Sequence, residues 1–124
     1  MTLRLLPIAG LLTLAVFACV QAAPAASERR VVVVVDAAAA GDPAVLDEAR
    51  AAVARAGAEA QLRVPRTSTE QLSVTHYFAA QHYATVVGVG LDQRRAVAPV
   101  AARYPRTRFV SAQPGHVAEA LAHR

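Results

Sequence analysis

Asp36 closes a short apolar run, Asp42 and Asp92 open helical patterns, and Gly88 and Gly90 close the run Thr85-Val86-Val87. Glycines at such a point let the backbone come close to a ligand, while the helix that follows offers unpaired N–H groups to an oxygen-rich group. These five residues form the candidate ligand-binding set. Gly88-Val89-Gly90 lacks the third glycine and the spacing of a dinucleotide fingerprint, so no nucleotide cofactor is expected. A receiver-type phosphoacceptor domain would need an aspartate where Gly88 stands and a lysine further on, and the chain contains no lysine.

Other reactive side chains do not form sets. His76 and His82 fall on different faces of one expected helix, His116 and His123 stand apart, and no cysteine or close carboxylate completes a metal site. Ser73 and Ser111 lack the nucleophile-elbow setting and an evident base. The sequence therefore recommends neither an enzyme nor a metal or organic cofactor. Thirteen basic residues against nine acidic ones make a modest excess. The basic residues, all arginine, are spread along the chain without a dense aromatic-interleaved face, which argues against a nucleic-acid partner. Tyr77, Phe78, Tyr83, Tyr104 and Phe109 fall in or beside expected elements and read as packing residues.

The elements that must position the candidate set begin near Arg29. Residues 1–22 have the layout of an export signal: Arg4, then an apolar run from Leu5 to Ala18, then small residues. Cys19, the single cysteine, follows Val16-Phe17-Ala18, where a lipoprotein signal carries its attachment point. Cleavage near Ala22 or Ala25 is the alternative. The expectation is an exported protein, either anchored in the membrane by lipid on Cys19 or free in the periplasm or outside the cell. Residues 23–28 read as an Ala/Pro/Ser tether, and residues 29–124 as a single lobe.

Within the lobe, the five valines from Val31 to Val35 cannot alternate between core and solvent, so they require a strand covered on both faces. The segment from Ala37 to Gly41 reads as a loop. Asp42-Pro43 then opens a helix with an apolar stripe of Val45, Ala49, Ala52, Val53 and Ala56, ended by Gly57. Strands are expected at 60–64, 85–88 and 108–111. Helices are expected from the capping box Thr67-Ser68-Thr69-Glu70 to about Gln81, from Asp92 to Arg103, and from Pro114 to Ala122. Pro99 inside the third of these helices predicts a kink or a late helix start. The alternation of strand and helix gives an α/β three-layer sandwich, a parallel four-stranded sheet of flavodoxin-like order 2-1-3-4 with helices on both faces. Ligands of such sheets bind beyond the carboxyl ends of the strands, where strand order reverses; here that point lies between strands one and three.

The stretch VVGVGLDQRRAVAPVAARYPRTRFV, residues 86–110, resembles the basic membrane lipoprotein family of solute-binding proteins. In that family a strand ends in Gly-x-Gly, a helix follows, and an Ala-x-x-Tyr-Pro turn leads into a strand beginning with Phe; here these are Gly88, Gly90, Ala101, Tyr104, Pro105 and Phe109. The likeness extends from Val31 to Val110, over the family's N-terminal lobe, a type 1 periplasmic-binding fold. It implies an exported, often lipid-anchored protein that binds purine nucleosides or related solutes for the membrane subunits of an ABC importer. Where members carry Asp-x-Ser-Phe-Asn, this chain has Asp42, Pro43, Ala44, Val45 and Leu46, so the aromatic that would stack on a base is absent. The function expected is thus a truncated or degenerate solute-binding lobe. The alternative is a small envelope interaction protein that binds no solute and forms a homodimer, through a sheet edge or through the surface where a second lobe would pack.

Overall fold

The computed structural model of the protein describes residues 30–122. The export signal, Cys19, the tether, Arg29 and His123 lie outside the described residues.

Val31–Val35 forms strand β1, and every one of its side chains is fully buried. Because successive side chains point to opposite faces, Val31, Val33 and Val35 join one core and Val32 and Val34 the other. The first core is closed by α2 (Pro43–Ala56), through Val45, Ala49 and Ala52, and by α5 (Val117–Ala122), through Val117 and Leu121. The second is closed by α3 (Ser68–Ala80), through Phe78, and by Leu91 and Val97 from the connection after β3 (Thr85–Val89). Strands β2 (Ala60–Arg63) and β4 (Arg108–Ser111) complete an all-parallel sheet of order β2-β1-β3-β4 with helices on both faces. The α/β sandwich expected from the alternation of elements is the observed fold. Val33 pairs with Leu62 on one side and Val87 on the other, at the centre of the sheet. Val33→Ala is expected to cost about 2 kcal/mol through lost burial and the cavity left behind. The midpoint of urea unfolding would report it.

Local structure departs from expectation in four places. The segment read as a loop contains a short helix, α1 (Ala37–Ala40), because Asp36 caps four consecutive alanines, the best helix formers. Strand β3 runs one residue further than expected, to Val89, so Gly88 lies inside the sheet, paired with Val34 and Ser111. The helix expected from Asp92 starts as a π-helical turn, Gln93–Val97, and becomes α4 only at Ala98–Arg103. That late start follows from Pro99, which has no N–H to donate and is tolerated in a first turn. Helix α3 ends at Ala80, so His82 is not helical but stands in a left-handed conformation, φ 65°.

The side chains mostly pack as their types suggest. Phe78 and Tyr83 are buried and meet edge to face at 4.7 Å between ring centroids. Tyr77 is the exception to the packing reading: more than half of it is exposed, because it sits beside Phe78 on the outer face of α3. Thr75 is fully buried, and its hydroxyl lies 2.7 Å from the carbonyl oxygen of Ala96, which binds α3 to the π-helical turn. Thr67 caps α3 as expected, but Glu70 returns its carboxylate to the N–H of Arg66 rather than of Thr67. Among the described residues no helix is long and apolar enough to cross a membrane.

Candidate functional site

Strand order reverses between β1 and β3, and the two segments leaving that point carry Asp36 and Gly90. They are held together from the backbone upward. The N–H of Asp36 donates to the carbonyl of Val89 at 2.9 Å, extending the β1–β3 pairing by one bond. Gly90 has φ +74°, and a Cβ there would stand 3.3 Å from the Cβ of Asp36 and 3.5 Å from that of Ala39. Glycine is thus required at Gly90 both for its backbone angle and for the close approach of the α1 segment. Gly88 serves packing: a Cβ there would meet the Leu91 side chain at 2.7 Å.

The Asp36 carboxylate is part-buried and held at both oxygens. Oδ2 accepts from the N–H of Ala38 at 3.1 Å, and Oδ1 accepts from the Gln71 side-chain amide at 2.7 Å. The other end of that amide, Oε1, accepts from the N–H of Asp92 at 2.9 Å. Gln71 is buried, with 4% of its surface exposed, and both hydrogen bonds are part-buried. One side chain from α3 therefore ties the end of β1 to the connection that follows β3.

Asp92 turns its own carboxylate to the next turn, accepting from the N–H groups of Arg94 and Arg95 at 3.1 and 3.0 Å. Its second oxygen lies 3.9 Å from the Arg95 guanidinium. Asp42 accepts from the N–H of Ala44 at 2.9 Å as the cap of α2. Among the described residues no hydrogen bond joins Asp42 to the Asp36–Gln71–Asp92 set. The structure thus brings together Asp36, Gly90 and Asp92, puts Gly88 just beneath them in the sheet, and leaves Asp42 as a separate, exposed cap. Asp42→Ala is expected to cost about 1 kcal/mol, the usual value of a lost N-cap, visible as a lower thermal midpoint.

Gln71 was not among the residues selected from the sequence. Its signal is positional. It shares the buried stripe of α3 with Thr75, Phe78 and Ala79, where a polar side chain must find buried partners.

The arrangement has a definite electrostatic preference. The N–H groups of Ala38, Ala44, Arg94 and Arg95, which would otherwise be open to an anion, already donate to Asp36, Asp42 or Asp92. Each Asp36 oxygen takes one hydrogen bond among the described residues, and a carboxylate oxygen can accept two. This end of the sheet suits a molecule that donates hydrogen bonds better than one that brings negative charge.

The histidines do not converge. His76 meets Tyr104, with Nε2 3.2 Å from the phenolic oxygen, and His116 pairs with Glu119 at 3.0 Å on the surface. Among the described residues no three His, Cys, Asp or Glu side chains come together as a metal set. Comparison of the chain with protein-family models, with curated proteins and with solved structures finds no match.

Proposed function

We propose that the lobe binds a small, neutral, donor-rich solute of the purine-nucleoside type at the carboxyl ends of β1 and β3. The protein would be exported, anchored through Cys19, and would deliver the solute to the membrane subunits of an ABC importer. The observation that carries this reading is the part-buried Asp36 carboxylate, fixed between Ala38 and Gln71 beside Gly90 at the point of strand-order reversal. A fixed carboxylate accepts ribose hydroxyls or base amino groups without the entropy cost of ordering itself on binding. The capped helix starts disfavour a phosphate at the same place. The described residues form one lobe, which by itself buries less of a solute than a closed two-lobed cleft, so weak affinity is expected of it alone.

Isothermal titration of the chain with adenosine, guanosine or inosine, beside the corresponding monophosphates, tests the reading. A nucleoside should bind, its monophosphate should bind more weakly, and Asp36→Asn should remove the response. Binding of the monophosphate alone, or binding unaffected by Asp36→Asn, would overturn it.

The second reading is an envelope interaction protein that dimerises by edge pairing. What favours it is β4, which pairs with β3 on one side only among the described residues and so leaves an edge of backbone N–H and C=O groups unpaired by the sheet. Sedimentation would separate the two, since only this reading expects a dimer without solute.

A further inference from the structure

A cleft of about 510 Å³ opens beside the β2 edge of the sheet, lined by Arg30 before β1, by Glu59, Gln61 and Arg63 in and before β2, and by Phe78 and Tyr83. Two arginines line it, and both are held against aromatic rings. The Arg30 guanidinium lies over the Tyr83 ring at 5.7 Å, and that of Arg63 lies over Phe78 at 5.3 Å. Tyr83 and Phe78 themselves meet edge to face, so the four side chains make a continuous row from one arginine to the other. Gln61 braces the row: its amide donates to the Tyr83 hydroxyl at 2.6 Å and its carbonyl oxygen accepts from Arg63 at 2.6 Å.

Neither guanidinium has a carboxylate within ion-pair distance among the described residues, although exposed Glu59 lines the same cleft. Arg63 spends N–H groups on the Leu62 carbonyl and the Gln61 side chain, and an oxyanion in the cleft would supply both charge and acceptors for the guanidinium N–H groups that remain. We infer that this cleft is a second binding site, for a phosphate group gripped by Arg30 and Arg63. The site is independent of the Asp36 end, which disfavours anions.

Two sources of that phosphate are compatible with the geometry, a soluble phosphate and a lipid headgroup. Headgroups become relevant because Arg30 lies two residues beyond the tether that would lead from a lipidated Cys19, which would hold the start of β1 near the bilayer.

Thermal unfolding of the full chain in 10 mM inorganic phosphate, against sodium chloride of equal ionic strength, is the test. Phosphate should raise the midpoint by about 5 °C for millimolar affinity, and Arg30→Gln with Arg63→Gln should abolish the rise. If that double variant loses its cooperative transition, Arg30→Gln alone, which leaves the Gln61–Arg63 bond intact, should reduce the rise by half or more. No rise with phosphate, or an equal rise in the variants, would overturn the site. Co-sedimentation with phosphatidylglycerol vesicles, against phosphatidylcholine vesicles, identifies the source. Greater retention of the wild type than of the double variant on the anionic vesicles supports a headgroup, and equal retention with the phosphate shift intact supports a soluble ligand.

Discussion

Replacing Gln71 by leucine is expected to cost about 2–4 kcal/mol, although leucine has nearly the same volume and a greater tendency to be buried. The loss follows from what the amide holds. Its N–H group satisfies one oxygen of Asp36, and its carbonyl oxygen satisfies the N–H of Asp92. Leucine leaves a charged acceptor and a backbone donor without partners in a part-buried place, and an unmade bond of this kind costs more than a made one contributes. For a domain of this size the thermal midpoint should fall by roughly 10–20 °C. Hydrogen exchange should locate the damage at the segments after β1 and β3, with the N–H of Asp92 losing protection first. A loss below about 0.5 kcal/mol, as for an ordinary surface change, would mean that the bridge does not hold these segments together.

Gly90→Val should be comparably damaging, for a different reason. Its φ of +74° is strained for any branched side chain, and the added Cβ would press on Asp36 and Ala39 at 3.3 and 3.5 Å. A cost of about 2–4 kcal/mol is expected, the strain of the backbone plus displacement of α1. Gly115→Val provides the comparison, because Gly115, in the turn closed by the Gln113–His116 bond, also has a positive φ, +93°, but nothing lies within 4 Å of the position its Cβ would take. The difference between the two variants in urea unfolding isolates the crowding at Asp36, and Gly90→Val should be the worse. Equal losses would show that the two segments are free to move apart.

What could be read from the chain itself was the part governed by period and by strong local chemistry. Five valines in a row admit only a strand covered on both sides, and all five are buried. Asp42-Pro43 announces a helix start because the carboxylate caps and the proline has no N–H to lose there, and α2 begins at Pro43. Less legible were features set by contacts across the fold. The alanines after Asp36 carry little pattern, and a side-chain cap turns them into α1. The π-helical turn depends on Pro99 downstream and on Thr75 from another helix, which reaches the Ala96 carbonyl. Gln71 was invisible for the same reason: its importance comes from Asp36 and Asp92, 35 and 21 residues away. Within the candidate set Asp36 and Gly90 adjoin and Asp42 stands apart, and the residue that joins Asp36 to Asp92, Gln71, was not in it.

The surroundings of the two sites also differ in a way that composition conceals. The excess of arginine is small for the whole chain, yet aspartates cap the helix starts that follow β1 and β3, whereas Arg30 before β1 and Arg63 at the last position of β2 line the cleft beside the β2 edge. The two proposed sites therefore differ in charge: one is built around a carboxylate and the other around two guanidinium groups.

The central claim is that a nucleoside-like solute sits against Asp36. The most direct measurement is thermal unfolding of the full chain in millimolar adenosine, guanosine and inosine, run in parallel on the wild type and on Asp36→Asn. The account predicts a higher midpoint with at least one nucleoside for the wild type and no nucleoside-dependent change for the variant, whose own midpoint is lower because asparagine has one acceptor oxygen for the cap of α1 and none for Gln71. A cooperative wild-type transition that none of the three nucleosides moves, or a shift that Asp36→Asn retains in full, would contradict it.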